Sequence, residues 1–590
     1  MILQSLYDYY EKLAAQSKIA RAYWGEYKIS YALNLNKEGQ LVGLIPLEIE
    51  EKVGKKTKLK PQKFTLPEAS SRTSNKEGQF LWDNAKYMLG IDKDGISLKS
   101  REYLEATKKI YDTVLENYTG MMAMALKRFF TIWQPKEALS NDILEPYLED
   151  IVNGKNLMFA VDGQYIHEDS EIMEAWDRYR QKQIGVIKQQ CLITGKEGCI
   201  KPTHPSIRGV KGAQSSGAAL VSFNSEAYLS YGKKQSYNAP VSEYAAFAYT
   251  TALNKLISDE RYHKIIGDTT VVYWAENGED AYADIMSGAV FGENTVSDDM
   301  LGYIFDCIKA GNPFDYEGVP LHPDNKFYIL GISPNAARLS VRFFLVDTFG
   351  SILSHVREHY ERMRIVKPSN YKWEHIPLWA MMAETVNPHS KVKAASPLLA
   401  GAVMRSILSG LPYPAALYQA VLGRIKADQD KEGEKKKDNT YKITVIKVAI
   451  IKAYLMHNYH EEEVTTVALN EESKNIPYVL GRLFAVLEHL QETANPNINS
   501  TIKNRYFNSA CTSPNVVFPV LLKLSNHHLQ KIGNDIGKRI FFEKTIGNLQ
   551  NKIDMSGNPI PARLSLEDQG KFILGYYHQQ QKRYEKKEEA

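Results

Sequence analysis

The stretch from Cys191 to Asn254 contains the residue types that bind nucleic acids most readily. A loop rich in glycine, serine and alanine comes first, and lysines that alternate with tyrosines follow it. Glycines allow close backbone approach, cations meet phosphates, and aromatic faces can take a base or simply pack. We therefore expect contacts with nucleic acid or another subunit from Arg208, Lys211, Gln214, Lys233 and Lys234, beside the aromatic residues Phe223, Tyr228, Tyr231 and Tyr237.

The same stretch contains the GxxxxG spacing of a phosphate-binding P-loop, from Gly212 to Gly217. In a P-loop, a lysine and then a serine or threonine follow the second glycine and contact phosphate and magnesium. Ala218 and Ala219 occupy those two positions in this chain. We therefore expect no ATP binding at this loop.

A second chemical motif, His355-Val-Arg-Glu358-His359, matches the HxxEH pattern of a zinc peptidase family. Two histidines four residues apart share one face of a helix, and Glu358 could act as a base. A metal site also needs a third ligand on a facing helix, and the sequence identifies none. The four cysteines form no CxxC pair, so structural zinc is not expected. We predict no catalytic residue, metal or cofactor, with a metal-dependent hydrolase at 355–359 as the alternative.

Cations are concentrated between Glu51 and Lys63, where six lysines accompany one glutamate. These lysines could hold the backbone of duplex DNA, although a lysine run is often only a solvated loop. They carry no sequence information, because phosphates are alike at every base pair. We predict a loop that contacts the DNA backbone through Lys52, Lys55, Lys56, Lys58, Lys60 and Lys63.

Two further polar groups have the chemistry for recognition. A polar segment follows the lysine loop from Ser70 to Lys76. Asparagine can pair with base edges and arginine can enter a narrow minor groove, but an ordinary Ser/Thr turn has the same composition. Arg338 and Arg342 would share a face of a strand and could contact nucleic acid or a neighbouring subunit. Buried structural arginines are the alternative.

The bulk properties indicate a soluble protein of several domains. At 590 residues the chain is too long for one core. No apolar run approaches the roughly 20 residues that cross a bilayer, so we expect a cytoplasmic protein without a membrane partner. The net charge of +4 hides a basic segment at 51–63 and a basic end at 501–590. This segregation favours a nucleic-acid partner held within a complex.

Hydrophobic periodicity predicts an α+β fold, with mixed elements first and helices last. A first helix is indicated by the spacing of Leu3, Leu6, Tyr10 and Leu13. Strand patterns follow at 26–49, 156–166, 268–274 and 326–332. Apolar stripes with helical period occur at 398–408, 417–425, 443–456 and 480–490.

These elements predict four segments along the chain. They are an N-terminal α+β region at 1–150, a central α+β region at 151–350, a helical connecting region at 351–425 and a C-terminal helical bundle at 443–590. The residues at 426–442 are charged and of low complexity, so we predict a linker there.

Four blocks of the sequence resemble the Csd family, the large subunits of the subtype I-C CRISPR effector complex (Cascade). The first is the stretch at 191–254, and the others are SRTSNKEGQFLWDNAKYMLG at 71–90, FYILGISPNAARLSVRFF at 327–344 and LSLEDQGKFILGYYHQQQ at 564–581. They occur in the same order as in the family. The resemblance implies a role in RNA-guided DNA binding without enzymatic activity.

The resemblance also implies partners and a site for the protospacer-adjacent motif (PAM). It implies that the protein recognises the PAM on duplex DNA, promotes R-loop formation and helps recruit a helicase-nuclease. The candidate PAM residues are Arg72, Thr73, Ser74, Asn75, Lys76 and Asn84. The implied partners are crRNA, target double-stranded DNA, the Cascade backbone and crRNA-capping subunits, the helicase-nuclease, and a small subunit translated from the same gene, for which Met456 is a candidate start. A general RNA-binding scaffold is the remaining alternative.

Overall fold

The computed structural model describes residues 1–53, 56–69, 77–182, 187–223, 225–292, 296–369, 371, 373–390, 395–431, 441–496, 498, 500–533, 535–553 and 560–584. The chain forms two compact units. The N-terminal unit comprises Met1–Arg208 and Ser216–Lys255, and the C-terminal unit comprises Gly209–Ser215 and Leu256–Ala590. The division into four segments stays a prediction.

The N-terminal unit contains two principal sheets and a small hairpin. Its strands are β1 (Trp24–Ile29), β2 (Tyr31–Leu35), β3 (Leu41–Pro46), β4 (Glu48–Val53), β5 (Lys56–Pro67), β6 (Trp82–Asn84), β7 (Asn156–Val161), β8 (Gln164–Tyr165), β9 (Lys188–Gln190) and β10 (Glu197–Cys199). One sheet has the order β3-β2-β7-β6, with β8 also paired to β7. Its β2 and β7 are parallel and its other pairs are antiparallel. The other sheet has the order β1-β5-β4, and β9 pairs with β10.

Helices cover a core of aliphatic and aromatic side chains in this unit. They are α1 (Ile2–Ala15), α2 (Ala85–Met88), α3 (Leu98–Val114), α4 (Met121–Ile132), α5 (Leu148–Val152), α6 (Ser170–Lys182) and α7 (Glu243–Ser258). The predicted first helix is confirmed, because α1 buries Leu6, Tyr10 and Leu13 on one face. The predicted strands at 26–49 and 156–166 are also confirmed.

The C-terminal unit begins with an antiparallel sheet in the order β11-β12-β15-β16. Its strands are β11 (His263–Ile266), β12 (Thr269–Ala275), β15 (Lys326–Asn335) and β16 (Arg338–Thr348), and a separate hairpin pairs β13 (Phe314–Tyr316) with β14 (Val319–Leu321). β12 is buried along its whole length, as expected for a central strand rich in β-branched and aromatic residues. The predicted strands at 268–274 and 326–332 are therefore confirmed.

Helices form the rest of this unit. They are α8 (Ala281–Phe291), α9 (Asp298–Lys309), α10 (Phe349–Met363), α11 (Leu378–Ala383), α12 (Pro397–Ser409), α13 (Ala415–Ala427), α14 (Val445–Asn458), α15 (Ile476–Ala494), α16 (Ile502–Thr512), α17 (Pro514–Ile532), α18 (Ile536–Asn551) and α19 (Leu566–Lys582). All four helices predicted from apolar stripes are present, as α12 to α15. The α+β fold class is confirmed. Within the described ranges, every helix is too short or too polar to span a lipid bilayer.

Two glycines let α15 and α19 approach each other closely. A Cβ atom added to Gly481 would collide with the backbone oxygen of Phe572. A Cβ atom added to Gly575 would collide with the backbone oxygen of Tyr478. Each helix therefore packs directly against the backbone of the other, which side chains would prevent. This pair of helices makes the most extensive helix–helix contact in the described chain.

Charged residues near both ends of the predicted linker at 426–442 are buried. Asp428 and Lys442 are buried, and Lys442 Nζ donates a hydrogen bond to the Asp428 carbonyl at 3.1 Å. Lys447 of α14 is also buried, with its Nζ 2.8 Å from Asp428 Oδ2. Burial alone would raise the pKa of Asp428, but hydrogen bonds from Arg424 and Lys447 lower it below its usual range. A buried ion pair is costly to break on one side, so removal of Asp428 or Lys447 alone would destabilise this junction.

Candidate nucleic-acid interface

The lysine-rich segment forms an antiparallel β-hairpin, so the prediction of a loop is wrong. β4 pairs with the first half of β5, from Glu48↔Pro61 to Val53↔Lys56. Lys56, Lys58 and Lys60 occur at every second position, which is the period of a β-strand. A solvated loop would not require this spacing. Five of the lysines lie in strands, and one falls outside the described residues: Lys52 is in β4, Lys56, Lys58, Lys60 and Lys63 are in β5, and Lys55 is the exception.

The second half of β5 anchors this hairpin to the N-terminal unit. Residues 62–67 pair with β1, and Leu66 is fully buried. Lys63 lies directly opposite Lys28 in β1, and both side chains are exposed. Lys63 Nζ is 3.8 Å from Glu26 Oε2. An exposed ion pair of this length contributes little to stability. The two lysines outnumber this one carboxylate, so their charges sum to a net positive value.

The polar segment at 70–76 lies outside the described residues, but its flanks are anchored at β6. Trp82 Nε1 donates a hydrogen bond to the carbonyl of Pro67, 3.0 Å away. On the other side, the Gln79 N–H donates to Asp83 Oδ2 at 2.9 Å. Pro67 and Gln79, which flank the segment in the sequence, are therefore held by adjacent residues of β6. Five candidate PAM residues lie outside the described residues: Arg72, Thr73, Ser74, Asn75 and Lys76.

Asn84 caps a helix next to these anchors. Its Oδ1 accepts a hydrogen bond from the Lys86 N–H at 3.2 Å at the beginning of α2. The Asn84 backbone pairs with Asn156 in β7. The cap uses the carbonyl oxygen of the side chain, and the amide nitrogen has no partner among the described residues. Asn84 therefore has a structural role that leaves its side-chain NH2 group, with two N–H donors, for a ligand.

The structure divides the candidate residues of the glycine-rich loop between the two units. Arg208 is exposed in the N-terminal unit, and its backbone N–H donates to Asn254 Oδ1 at 2.8 Å. Lys211 and Gln214 are exposed in the C-terminal unit. The Lys211 N–H donates to Thr270 Oγ1 of β12 at 3.2 Å, which places this loop against the four-stranded sheet. Lys233 and Lys234 are exposed in a turn of the N-terminal unit.

Arg338 and Arg342 lie on β16, as the strand pattern predicts, and a β-bulge lies between them, so their shared face stays a prediction. The register of β15 and β16 shifts so that Val341 and Phe343 pair with consecutive residues. Arg342 is thus the extra residue of a β-bulge, which interrupts the side-chain alternation of a strand. Its guanidinium forms an exposed ion pair with Asp268 at 3.2 Å. Gly212 of the glycine-rich loop packs near Pro334, close to the β15–β16 turn that precedes Arg338.

The histidines of the HxxEH motif make structural hydrogen bonds. His355 Nδ1 lies 3.1 Å from a backbone carbonyl at the end of α12. His359 is buried, and its Nδ1 lies 2.7 Å from the hydroxyl of Tyr413. Burial, with the nearby positive charge of Arg362, lowers the pKa of His359 to about 3. Within the described ranges, no group of three His, Cys, Asp or Glu side chains is arranged to hold a metal ion.

The sequence matches a known family along nearly its whole length. The family described as CRISPR-associated protein (Cas_Csd1) matches residues 6–584, from α1 to the end of the C-terminal bundle. The chain belongs to the Csd1 family of CRISPR-associated proteins. The resemblance inferred from four sequence blocks is thereby confirmed. No curated protein matches the sequence.

The residues that support the candidate site of this Csd1-family protein were harder to predict than its cations. Tyr27 packs against Trp82 with the rings tilted and 4.0 Å between their centroids, and its hydroxyl accepts a hydrogen bond from the Ala69 N–H at 2.8 Å. Lys28 adds a cation opposite Lys63. Tyr27 and Lys28 alternate in an ordinary strand pattern, so no local signal distinguishes them. They belong to the candidate site only because β1 pairs with β5.

Proposed function

We propose that this protein is the large subunit of a type I-C Cascade, which binds duplex DNA and recognises the PAM. The main support beyond family membership is the lysine hairpin and its continuation to Pro67, shortly before the polar segment at 70–76 in the sequence. β5 carries four of the lysines and continues directly to the flank that Trp82 anchors. A cationic hairpin that is followed in the sequence by a polar segment suits a division of roles in which lysines hold phosphates and polar side chains read bases.

In this proposal, guide RNA and protein divide the recognition of DNA. Base pairing with crRNA reads the long target, and protein reads only the short adjacent motif. The implied partners are crRNA, target double-stranded DNA, the backbone and crRNA-capping subunits, and a helicase-nuclease recruited in trans. A small subunit from the same gene completes the set. After PAM binding, the protein promotes strand separation and R-loop formation.

We further propose that the protein has no enzymatic activity of its own. His355 and His359 are engaged in hydrogen bonds that position α10, and Ala218 and Ala219 replace the phosphate-binding residues of a P-loop. Metal analysis of the purified protein and a DNA cleavage assay test this proposal. Tightly bound stoichiometric zinc, or cleavage that His355→Ala abolishes, would contradict it.

PAM recognition is tested with two duplexes that differ only in the adjacent motif. Arg72→Ala and Asn75→Ala should reduce the preference for the correct motif more than they reduce binding to the scrambled one. One base-reading contact contributes roughly 1–3 kcal/mol of discrimination. Equal losses on both duplexes would assign these residues to the backbone, and unchanged binding would remove them from the site.

Asn84 permits a sharper comparison, because its two side-chain groups have different roles. Asn84→Asp keeps an oxygen that caps α2 but removes the amide donor. Asn84→Ala removes both. If the amide reads a base, both variants lose PAM preference, whereas only Asn84→Ala loses thermal stability. If instead only Asn84→Ala loses PAM preference, and loses thermal stability with it, Asn84 is a helix cap without a role in recognition.

A further inference from the structure

An exposed tyrosine is held at the tip of a tight turn in the N-terminal unit. The Lys233 N–H donates to the Ser230 carbonyl at 2.9 Å, so Tyr231 and Gly232 are the central residues of a two-residue turn. Their φ angles are 50° and 70°. Positive φ at both positions defines a type I′ turn, which favours glycine, asparagine and aspartate. A tyrosine there carries conformational strain, and its side chain is 98% exposed, so no packing compensates for the strain.

Hydrogen bonds from one asparagine fix the turn. Asn238 Oδ1 accepts from the Ser230 N–H at 2.9 Å. Asn238 Nδ2 donates to the carbonyls of Lys233 at 3.0 Å and Gln235 at 2.8 Å. The next residue after Gln235, Ser236, is buried, and its N–H donates to the Pro202 carbonyl at 3.1 Å. The ring of Tyr231 is therefore presented by a braced turn.

The charge around the turn favours nucleic acid over protein as the partner. Between Glu226 and Glu243 the sequence contains Lys233 and Lys234 and no acidic residue. Both lysines are exposed and follow the tyrosine after a single glycine. An exposed aromatic ring beside two cations is the combination that stacks on a base while holding the neighbouring phosphates. A base inside a duplex already has stacking partners on both faces, so an unpaired base suits this ring best.

We propose that Tyr231 stacks on an unpaired base of the nucleic acid that the protein binds. Lys233 and Lys234 hold the phosphates beside that base. The inference rests on the proposed function, because it requires a nucleic-acid ligand. The base belongs either to the guide RNA or to DNA that has been opened, since the chemistry of stacking is the same for both.

The turn geometry provides a variant that separates stacking from stability. Tyr231→Asn removes the ring but suits a positive φ, so thermal stability should stay equal or rise. In the assembled complex with crRNA and target DNA, the same variant should weaken nucleic-acid binding between about fivefold and about 150-fold. Tyr231→Trp should retain the affinity because it keeps an aromatic face. Tyr584→Asn is the matched control, since Tyr584 is also strongly exposed, at 74%.

A fluorescent base identifies the strand involved. 2-Aminopurine is placed at single positions of the crRNA in one arm and of the target DNA in the other. Its fluorescence is quenched by stacking, so one position should become brighter with Tyr231→Asn and stay quenched with Tyr231→Trp. Unchanged affinity and fluorescence with Tyr231→Asn would overturn the proposal. Normal binding by the purified complex but poor complex assembly would also overturn it and assign the turn to a protein interface. Failure of the unmodified complex to bind nucleic acid would instead contradict the proposed function.

Discussion

At the scale of single residues, internal hydrogen bonds determine which polar side chains remain for a ligand. The HxxEH motif has the composition of a metal site, yet His355 and His359 bond to a carbonyl and to Tyr413. Asn84 gives its oxygen to a helix cap, and Arg342 pairs with Asp268. Residue type therefore indicates what a side chain can do, while its local partners decide whether it is available.

Buried His359 should make stability depend on pH. Its pKa is lowered to about 3 by burial, against about 6.5 in the unfolded chain. Between these values the unfolded chain binds a proton that the folded chain does not, so stability falls as pH falls through this window. The contribution is up to about 1.4 kcal/mol per pH unit. His359→Gln should reduce the loss of thermal stability between pH 6.5 and pH 5.

The exposed His460→Gln is the control for this change and should keep the original pH dependence. Other buried histidines with lowered pKa, such as His204 and His578, should still cause part of the loss in the His359→Gln variant. A pH dependence that does not differ between His359→Gln and the unmodified protein would contradict the assignment.

At the scale of elements, two features depend on how helices and strands pack. The first is the contact between α15 and α19 at Gly481 and Gly575. Gly481→Ala should destabilise the C-terminal unit by about 1–3 kcal/mol or more, because its Cβ would meet the backbone of α19. Chemical denaturation would measure the change in the free energy of unfolding.

Gly547 provides a matched control in α18. A Cβ atom there would have open space around it within the described structure. Gly547→Ala should therefore stabilise its helix by up to about 1 kcal/mol through helix propensity alone. If both substitutions had the same effect, close helix packing would not explain the glycine in α15.

The second of these features is the β4–β5 hairpin. Replacing Lys56, Lys58 and Lys60 by alanine should weaken binding to target and non-target duplexes alike. Each phosphate contact that is lost should make the slope of log K against log salt shallower by about 0.9. The control replaces three exposed lysines elsewhere in the same unit, Lys93, Lys99 and Lys109. If the two triple variants had equal salt slopes, the hairpin lysines would be ordinary solvated surface residues without a specific role in phosphate binding.

At the scale of the whole molecule, the packing of the last helices limits what a separately translated small subunit would contain. A product that starts at Met456 would keep α15 to α19 and the core around Phe484, Phe507 and Phe572. It would lose α14, against which α19 packs at Ile451. The exposed face of α19 would then need another partner, such as a neighbouring subunit.

Expression of the gene with a C-terminal tag tests this internal start. A second, shorter band should accompany the full chain, and Met456→Leu should remove it. Met404→Leu, a change in the buried face of α12, should leave the shorter band in place. A single full-length band in a complex that binds its target fully would contradict the prediction.

The sequence by itself determined the family, the α+β class, the first helix and the stripes that became α12 to α15. These features depend on local periodicity and on residue blocks, which a linear chain displays directly. The tertiary structure alone decided that the lysine run is a hairpin, that a bulge at Arg342 interrupts its strand, and that Asp428, Lys442 and Lys447 are buried together. Strand pairing and ion pairing join residues distant in sequence, so composition could not distinguish a solvated charge from one held by a partner.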